Sequence, residues 1–81
     1  MTTAILDTVI LYSKPHCVQC TATKRALTQA GITFSTIDLT VDEDALSYVR
    51  GLGYREAPVV EAGGRSWSGF NPDEIKSLVT V

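Results

Sequence analysis

Two cysteines and one histidine are all this chain offers to thiol or metal chemistry, and it has no apolar run of membrane-crossing length. A bilayer-spanning helix takes about 20 consecutive apolar residues, so nothing here calls for a membrane. A closed tetrahedral zinc site needs four ligands. Cys17, Cys20 and the adjacent His16 cannot supply them within one chain unless carboxylates or a partner help. A basic excess is missing too: the net charge of −2 excludes a general nucleic-acid binder. With no glycine-rich phosphate loop or dinucleotide fingerprint, bound nicotinamide or flavin is not expected. Met1 to Leu11 show no basic start, apolar stretch and cleavage site of a secretory leader. The cytosol is therefore the expected location, where a CxxC pair is more often catalytic than structural. Repeats, low-complexity tracts and linkers are absent, and 81 residues leave room for one small domain, residues 1–81.

What the chain does have is Cys17-Val18-Gln19-Cys20, placed just after the apolar run Thr8 to Tyr12. A thiol pair at a strand-to-helix turn suits dithiol–disulfide exchange. With Cys17 at the first helical position, Cys20 falls on the same helix face, close enough for a disulfide. Free amides at a helix start carry partial positive charge and favour thiolate over thiol, which is the attacking species. Cys17 is thus the expected nucleophile and Cys20 the resolving thiol. Lys14 and His16 are candidate supports for the thiolate. Two other readings compete: a structural bridge, which gains little from so short a loop, and a metal or iron–sulfur module shared between chains. Residues 1–31 carry a local charge of +2, leaving −4 for the remainder, a mild bias toward an acidic partner.

The pattern predicts β-α-β-α-β-β-α. Thr8–Tyr12 reads as a buried strand, and Cys17–Ala30 as a helix with Ala22, Ala26, Leu27 and Ala30 inward and Gly31 at its end. Ile32–Leu39 is a second strand. Thr40 to Glu43 fits a capping box for a helix burying Ala45, Leu46, Val49 and Leu52, ended by Gly51 and Gly53. Pro58–Glu61 is a third strand, turned through Gly63-Gly64 into Arg65–Ser68. Asn71-Pro72-Asp73-Glu74 starts a helix with Ile75, Leu78 and Val79 inward. Tyr12, Tyr48 and Tyr54 are assigned to packing, and Asp42-Glu43-Asp44 to a favourable helix start. A four-stranded mixed sheet flanked by three helices follows.

With CxxC after the first strand, the chain resembles the thioredoxin superfamily, and its length resembles the compact glutaredoxin-like branch. Cys17 to Cys20, Ala57-Pro58-Val59-Val60 and Trp67-Ser68-Gly69-Phe70-Asn71-Pro72-Asp73 together resemble the NrdH-redoxins, electron donors to class Ib ribonucleotide reductase. The resemblance implies a thioredoxin fold, a redox-active Cys17–Cys20 pair and no bound cofactor. It implies two partners: thioredoxin reductase, which passes on electrons from NADPH, and the large subunit of class Ib ribonucleotide reductase; a monomer is the default expectation. It also implies a cis bond between Ala57 and Pro58, beside the cysteines. Partner contact is expected at Val18, Gln19, Ala57, Pro58, Trp67, Ser68, Gly69 and Phe70, with Trp67 mainly structural and Phe70 more in contact. Where glutathione-dependent glutaredoxins carry an Asp at the last helix, this chain has Ser68-Gly69-Phe70, removing a charged partner for glutathione; a glutathione-dependent activity is the rival reading. Two departures stand out: Asn71 replaces the family's usual Arg, and His16 a small residue.

Overall fold

Successive side chains of a strand point to opposite faces of its sheet, and β1 (Val9–Ser13) buries both. Val9 and Leu11 enter one apolar cluster, while Tyr12, with Ile10 packed beside it, enters another. A computed structural model describes residues 9–79; Thr8, expected in this strand, lies outside them. The following elements are α1 (Val18–Gln29), β2 (Phe34–Asp38), α2 (Glu43–Gly51), β3 (Val59–Ala62), β4 (Arg65–Ser68) and α3 (Pro72–Ser77). Among the described residues the sheet order is β2-β1-β3-β4. β1 runs parallel to β2, and β3 antiparallel to both β1 and β4, so the expected mixed sheet forms.

Helices α1 and α3 cover one face, where Leu11, Leu27, Val60, Trp67 and Ile75 meet. Helix α2 covers the other, bringing Ala45 and Val49 onto Tyr12 and Val59. Full burial of each large apolar side chain contributes roughly 1.5–3 kcal/mol, so the central strands anchor both layers. The edge strands read differently: Phe34-Ser35-Thr36-Ile37-Asp38 and Arg65-Ser66-Trp67-Ser68 leave polar residues toward water.

Several boundaries differ from the sequence reading. The cap of α2 is Asp42, whose carboxylate accepts the Ala45 N–H at 3.0 Å, not Thr40. Thr40 instead gives both its N–H and its hydroxyl to Asp38, at 2.8 and 2.6 Å, closing a turn before the helix. Two competing acceptors so near each other in sequence explain the shift. Gly51 is the last residue of α2 and Leu52 its exposed C-cap, so Leu52 does not join the inward face. The Gly53 N–H bonds Arg50 O and the Tyr54 N–H bonds Val49 O, a Schellman end that needs the φ of +98° Gly53 adopts. β2 begins at Phe34, not Ile32, and β3 at Val59, since Pro58 has no amide to give the ladder. Val79 is exposed, beyond the end of α3. The Gly63-Gly64 hairpin and the Asn71 cap with Pro72 at the first turn lie where expected.

The tyrosines do more than fill space. Tyr12 donates to Glu61 Oε1 at 3.2 Å, Tyr48 donates to Glu61 Oε2, and Tyr54 pairs with Ser66 Oγ at 2.8 Å. Burial, and then the Glu61 carboxylate, push the Tyr12 phenol up to about 12. An unfolded tyrosine ionises near pH 10, so the native state holds this proton more tightly than the unfolded chain. The stabilisation is whole below about pH 10 and is lost as pH rises toward 12, by about 1.4 kcal/mol per pH unit. Urea midpoints across that window should therefore fall more steeply for the parent chain than for Tyr12→Phe. Equal slopes would contradict the assignment.

Candidate active site

The first helix begins on a sulfur. Cys17 is the N-cap of α1, with extended backbone (φ −119°, ψ 107°), and its Sγ accepts the Cys20 N–H at 3.2 Å. It was expected one position later, as the first helical residue. The cap position serves the same chemistry better, because the sulfur itself takes the place of the Ser or Asp oxygen that usually satisfies an orphan amide. The Cys17 carbonyl accepts the Thr21 N–H at 3.1 Å and the Thr21 hydroxyl at 3.2 Å, which holds the first turn. Cys17 and Cys20 are joined as a disulfide, their Cα atoms 5.2 Å apart. The two sulfurs differ in access: Cys17 is half-buried, and Cys20 is 4% exposed.

The peptide between Ala57 and Pro58 is cis, as the resemblance implied. The Ala57 carbonyl oxygen lies 3.9 Å from Cys17 Sγ, so the turn before β3 sits against the sulfur pair. Pro58 O accepts the Gly69 N–H at 2.8 Å, tying that turn to the end of β4, where Ser68 pairs with Val59. Phe70 N–H then donates to the side-chain Oε1 of Gln19, at 3.1 Å. Gly69 has a φ of +83°, which favours glycine, while a Cβ there would stand at an ordinary contact distance of 3.4 Å from the same Gln19 oxygen.

The predicted contact residues divide. Val18 (85% exposed) and Phe70 (42%) offer apolar surface next to the disulfide, whereas Trp67 is buried in the α1/α3 cluster under the Arg65 guanidinium. Gln19, expected to face a partner, spends its amide oxygen on the Phe70 turn. The structure sets Ala57 against Cys17, and Pro58, Ser68 and Gly69 are tied to that turn through β3 and β4, with Gly69 beside Gln19. Lys14 and His16 are exposed, and among the described residues neither makes an ion pair or hydrogen bond with either cysteine. No three Cys, His, Asp or Glu side chains among the described residues gather as a metal site.

Comparison with known proteins places this geometry. The glutaredoxin family model matches residues 9–67. The glutaredoxin-like protein NrdH of Salmonella typhimurium is 44% identical over 70 residues, covering 86% of each chain. The chain belongs to the NrdH-redoxins, within the glutaredoxin family. The NrdH protein of Lactococcus lactis is 34% identical over 70 residues, 86% of this chain and 97% of its own. The solved structure of NrdH-redoxin from Escherichia coli superposes with a TM-score of 0.86 at 43% identity, covering 89% of this chain and 95% of that one. This redoxin accordingly carries a redox-active disulfide, Cys17–Cys20, in a thioredoxin-like fold.

Both departures from the family pattern have a local physical account. Asn71 caps α3, its Oδ1 accepting the Glu74 N–H at 3.2 Å, work that an Arg side chain cannot do because it has no acceptor. His16 has a φ of 57°. That left-handed region costs a non-glycine residue on the order of 1 kcal/mol, which explains why a small residue suits the place and why His, enriched there, is tolerated.

Sequence reasoning missed three features near the site. Thr23 is fully buried and returns its hydroxyl to Gln19 O at 2.8 Å, an i−4 bond that composition cannot reveal. Arg50 and Arg55 flank a groove of about 310 Å³ that runs from Ala57 and Lys14 over Leu46, Val49 and Tyr54. Arg55 stands two residues before Ala57, a proximity that was a usable signal. Arg50, on α2, gave none.

Proposed function

We propose that this NrdH-redoxin is a two-electron donor to class Ib ribonucleotide reductase and is itself reloaded by thioredoxin reductase with electrons from NADPH. The observation that carries the reading is the unequal access of the two sulfurs at the mouth of α1: half-buried Cys17 can be reached by a partner and Cys20 cannot. In the reduced protein the Cys17 thiolate attacks one sulfur of the partner's disulfide. A Cys17–partner bond forms as the partner's S–S bond breaks, and the departing sulfur takes a proton. Cys20, as thiolate, then attacks Cys17 Sγ. The Cys17–Cys20 bond closes, and the second partner sulfur leaves and is protonated. One disulfide is made and one reduced, so two electrons and two protons reach the partner. Thioredoxin reductase reverses the change on the redoxin.

Family membership supports the acceptor, and the solved Escherichia coli relative is described as having a thioredoxin-like activity profile. The absence of an Asp in Ser68-Gly69-Phe70 weighs against glutathione as the reductant. A monomer working in the cytosol fits this cycle, because reductases there keep thiol pairs reduced. NADPH consumption with insulin disulfides as acceptor tests the electron source. Turnover is expected with thioredoxin reductase, and only background with glutathione plus glutathione reductase. The reverse ranking would replace the proposed donor.

A further inference from the structure

The groove beside the site has a charge pattern that the exchange reaction does not use. Its apolar lining is Leu39, Leu46, Val49 and Tyr54, buried or half-buried, and Lys14, Arg50 and Arg55 stand exposed around it. Among the described residues none of these three cations makes an ion pair; the one observed joins Arg65 to Glu74. Glu56 is the sole acid lining the groove, so its formal charge is +2 in a chain whose total is −2. The acids Asp42, Glu43 and Asp44 gather around a separate hollow with Val41. Charge is therefore segregated, with cations kept free where an apolar channel opens next to Ala57. Ala57 is also the residue whose carbonyl lies 3.9 Å from Cys17 Sγ. Ala57 therefore borders both the sulfur pair and the groove, so the groove is within a few residues' reach of any polypeptide whose sulfur is joined to Cys17.

We propose that the groove receives the acidic flank of the partner's disulfide segment: an apolar side chain over Leu46, Val49 and Tyr54, and carboxylates against Lys14, Arg50 and Arg55. The inference deepens the dithiol-donor reading and rests on it. It assigns Arg50 and Arg55 to substrate selection and leaves the sulfur chemistry to the cysteines. Exposed cations around a concave site raise encounter rates with anionic partners, and salt screens the effect.

Synthetic cystine peptides that differ only in two residues beside the cysteine (Asp, Ser or Lys, placed before or after it) test this. The redoxin is reduced chemically, freed of reductant and mixed with each peptide, and the second-order rate of its oxidation is followed, so no reductase is involved. On at least one side of the cysteine, the acidic peptide should react about tenfold faster than the basic one at low ionic strength, as expected of electrostatic steering. That ratio should collapse toward one in the Arg50→Gln/Arg55→Gln double variant and in high salt. A ratio near one in the parent chain, or one that survives in the double variant, overturns the proposal. A glutathione mixed disulfide serves as a further arm. An arginine-dependent gain confined to it, without charge preference among peptides, overturns the proposal in favour of the tripeptide. Failure to reduce even the serine peptide would instead sink the dithiol-donor reading, a separate result from loss of charge preference.

Discussion

Replacing Cys17 by Ser should reduce disulfide turnover to background, whereas Cys20→Ser should stop after one step and accumulate a covalent adduct through Cys17. The asymmetry follows from access and from the helix start. Cys17 Sγ already accepts the Cys20 N–H at 3.2 Å, so an amide of the first turn is aimed at the atom that must carry negative charge as a thiolate. A serine hydroxyl in its place has no sulfur with which to exchange and ionises far too weakly at neutral pH. Cys20 lies beneath, 4% exposed, and meets the mixed disulfide only from inside. Without it, the partner stays bonded to Cys17. Non-reducing electrophoresis and intact mass after mixing with a disulfide substrate read both results. Residual turnover in Cys17→Ser, or adducts on Cys20 in that variant, would reverse the assigned roles.

The largest effect on stability is expected from Leu27→Ala. Leu27 is fully buried and holds α1 on the sheet within the cluster that includes Leu11, Val60, Trp67 and Ile75. Truncating such a leucine loses its transfer energy and leaves a cavity, together about 2–5 kcal/mol. Domains of this size hold roughly 5–15 kcal/mol in total, so much of the margin goes. With about 4–8 °C of Tm per kcal/mol for small domains, the thermal midpoint should drop by at least about 8 °C. Urea denaturation measures the same quantity. A loss under about 1 kcal/mol, well below the range for buried leucines, would mean that α1 is not held by this cluster. Because α1 also presents the sulfur pair, the variant should lose activity at temperatures well below those the parent tolerates.

The readable parts of the fold share a property. The Asn71-Pro72 start, the Gly63-Gly64 turn and the CxxC at a helix mouth are built from groups a few residues apart, and the residue types needed there are few. Errors also had local causes. Asp38 competing for Thr40 moved the α2 cap to Asp42, and a proline with no amide delayed β3 to Val59. For the site, the cysteines and the Ala57-Pro58 turn were visible as motifs. Gln19 was singled out for its outward place between the cysteines, which gave no sign of its bond to the Phe70 amide.

Short-range chemistry wrote the element order, the caps and the thiol pair into the chain, since a hydrogen bond spanning three or four residues depends on little else. Periodicity likewise marked the apolar faces of the strands and helices. Which surfaces those faces met was another matter. The Gln19 bond to Phe70 joins residues 51 apart, Cys17 reaches Ala57 across 40, and Tyr12 reaches Glu61 across 49. Contacts of that span exist because the sheet order β2-β1-β3-β4 lays β3 against β1 and so brings the Ala57-Pro58 turn to the mouth of α1. The cationic groove arose in the same way. Lys14 follows β1, Arg50 ends α2 and Arg55 precedes β3, and only packing both layers onto one sheet sets them around a common hollow.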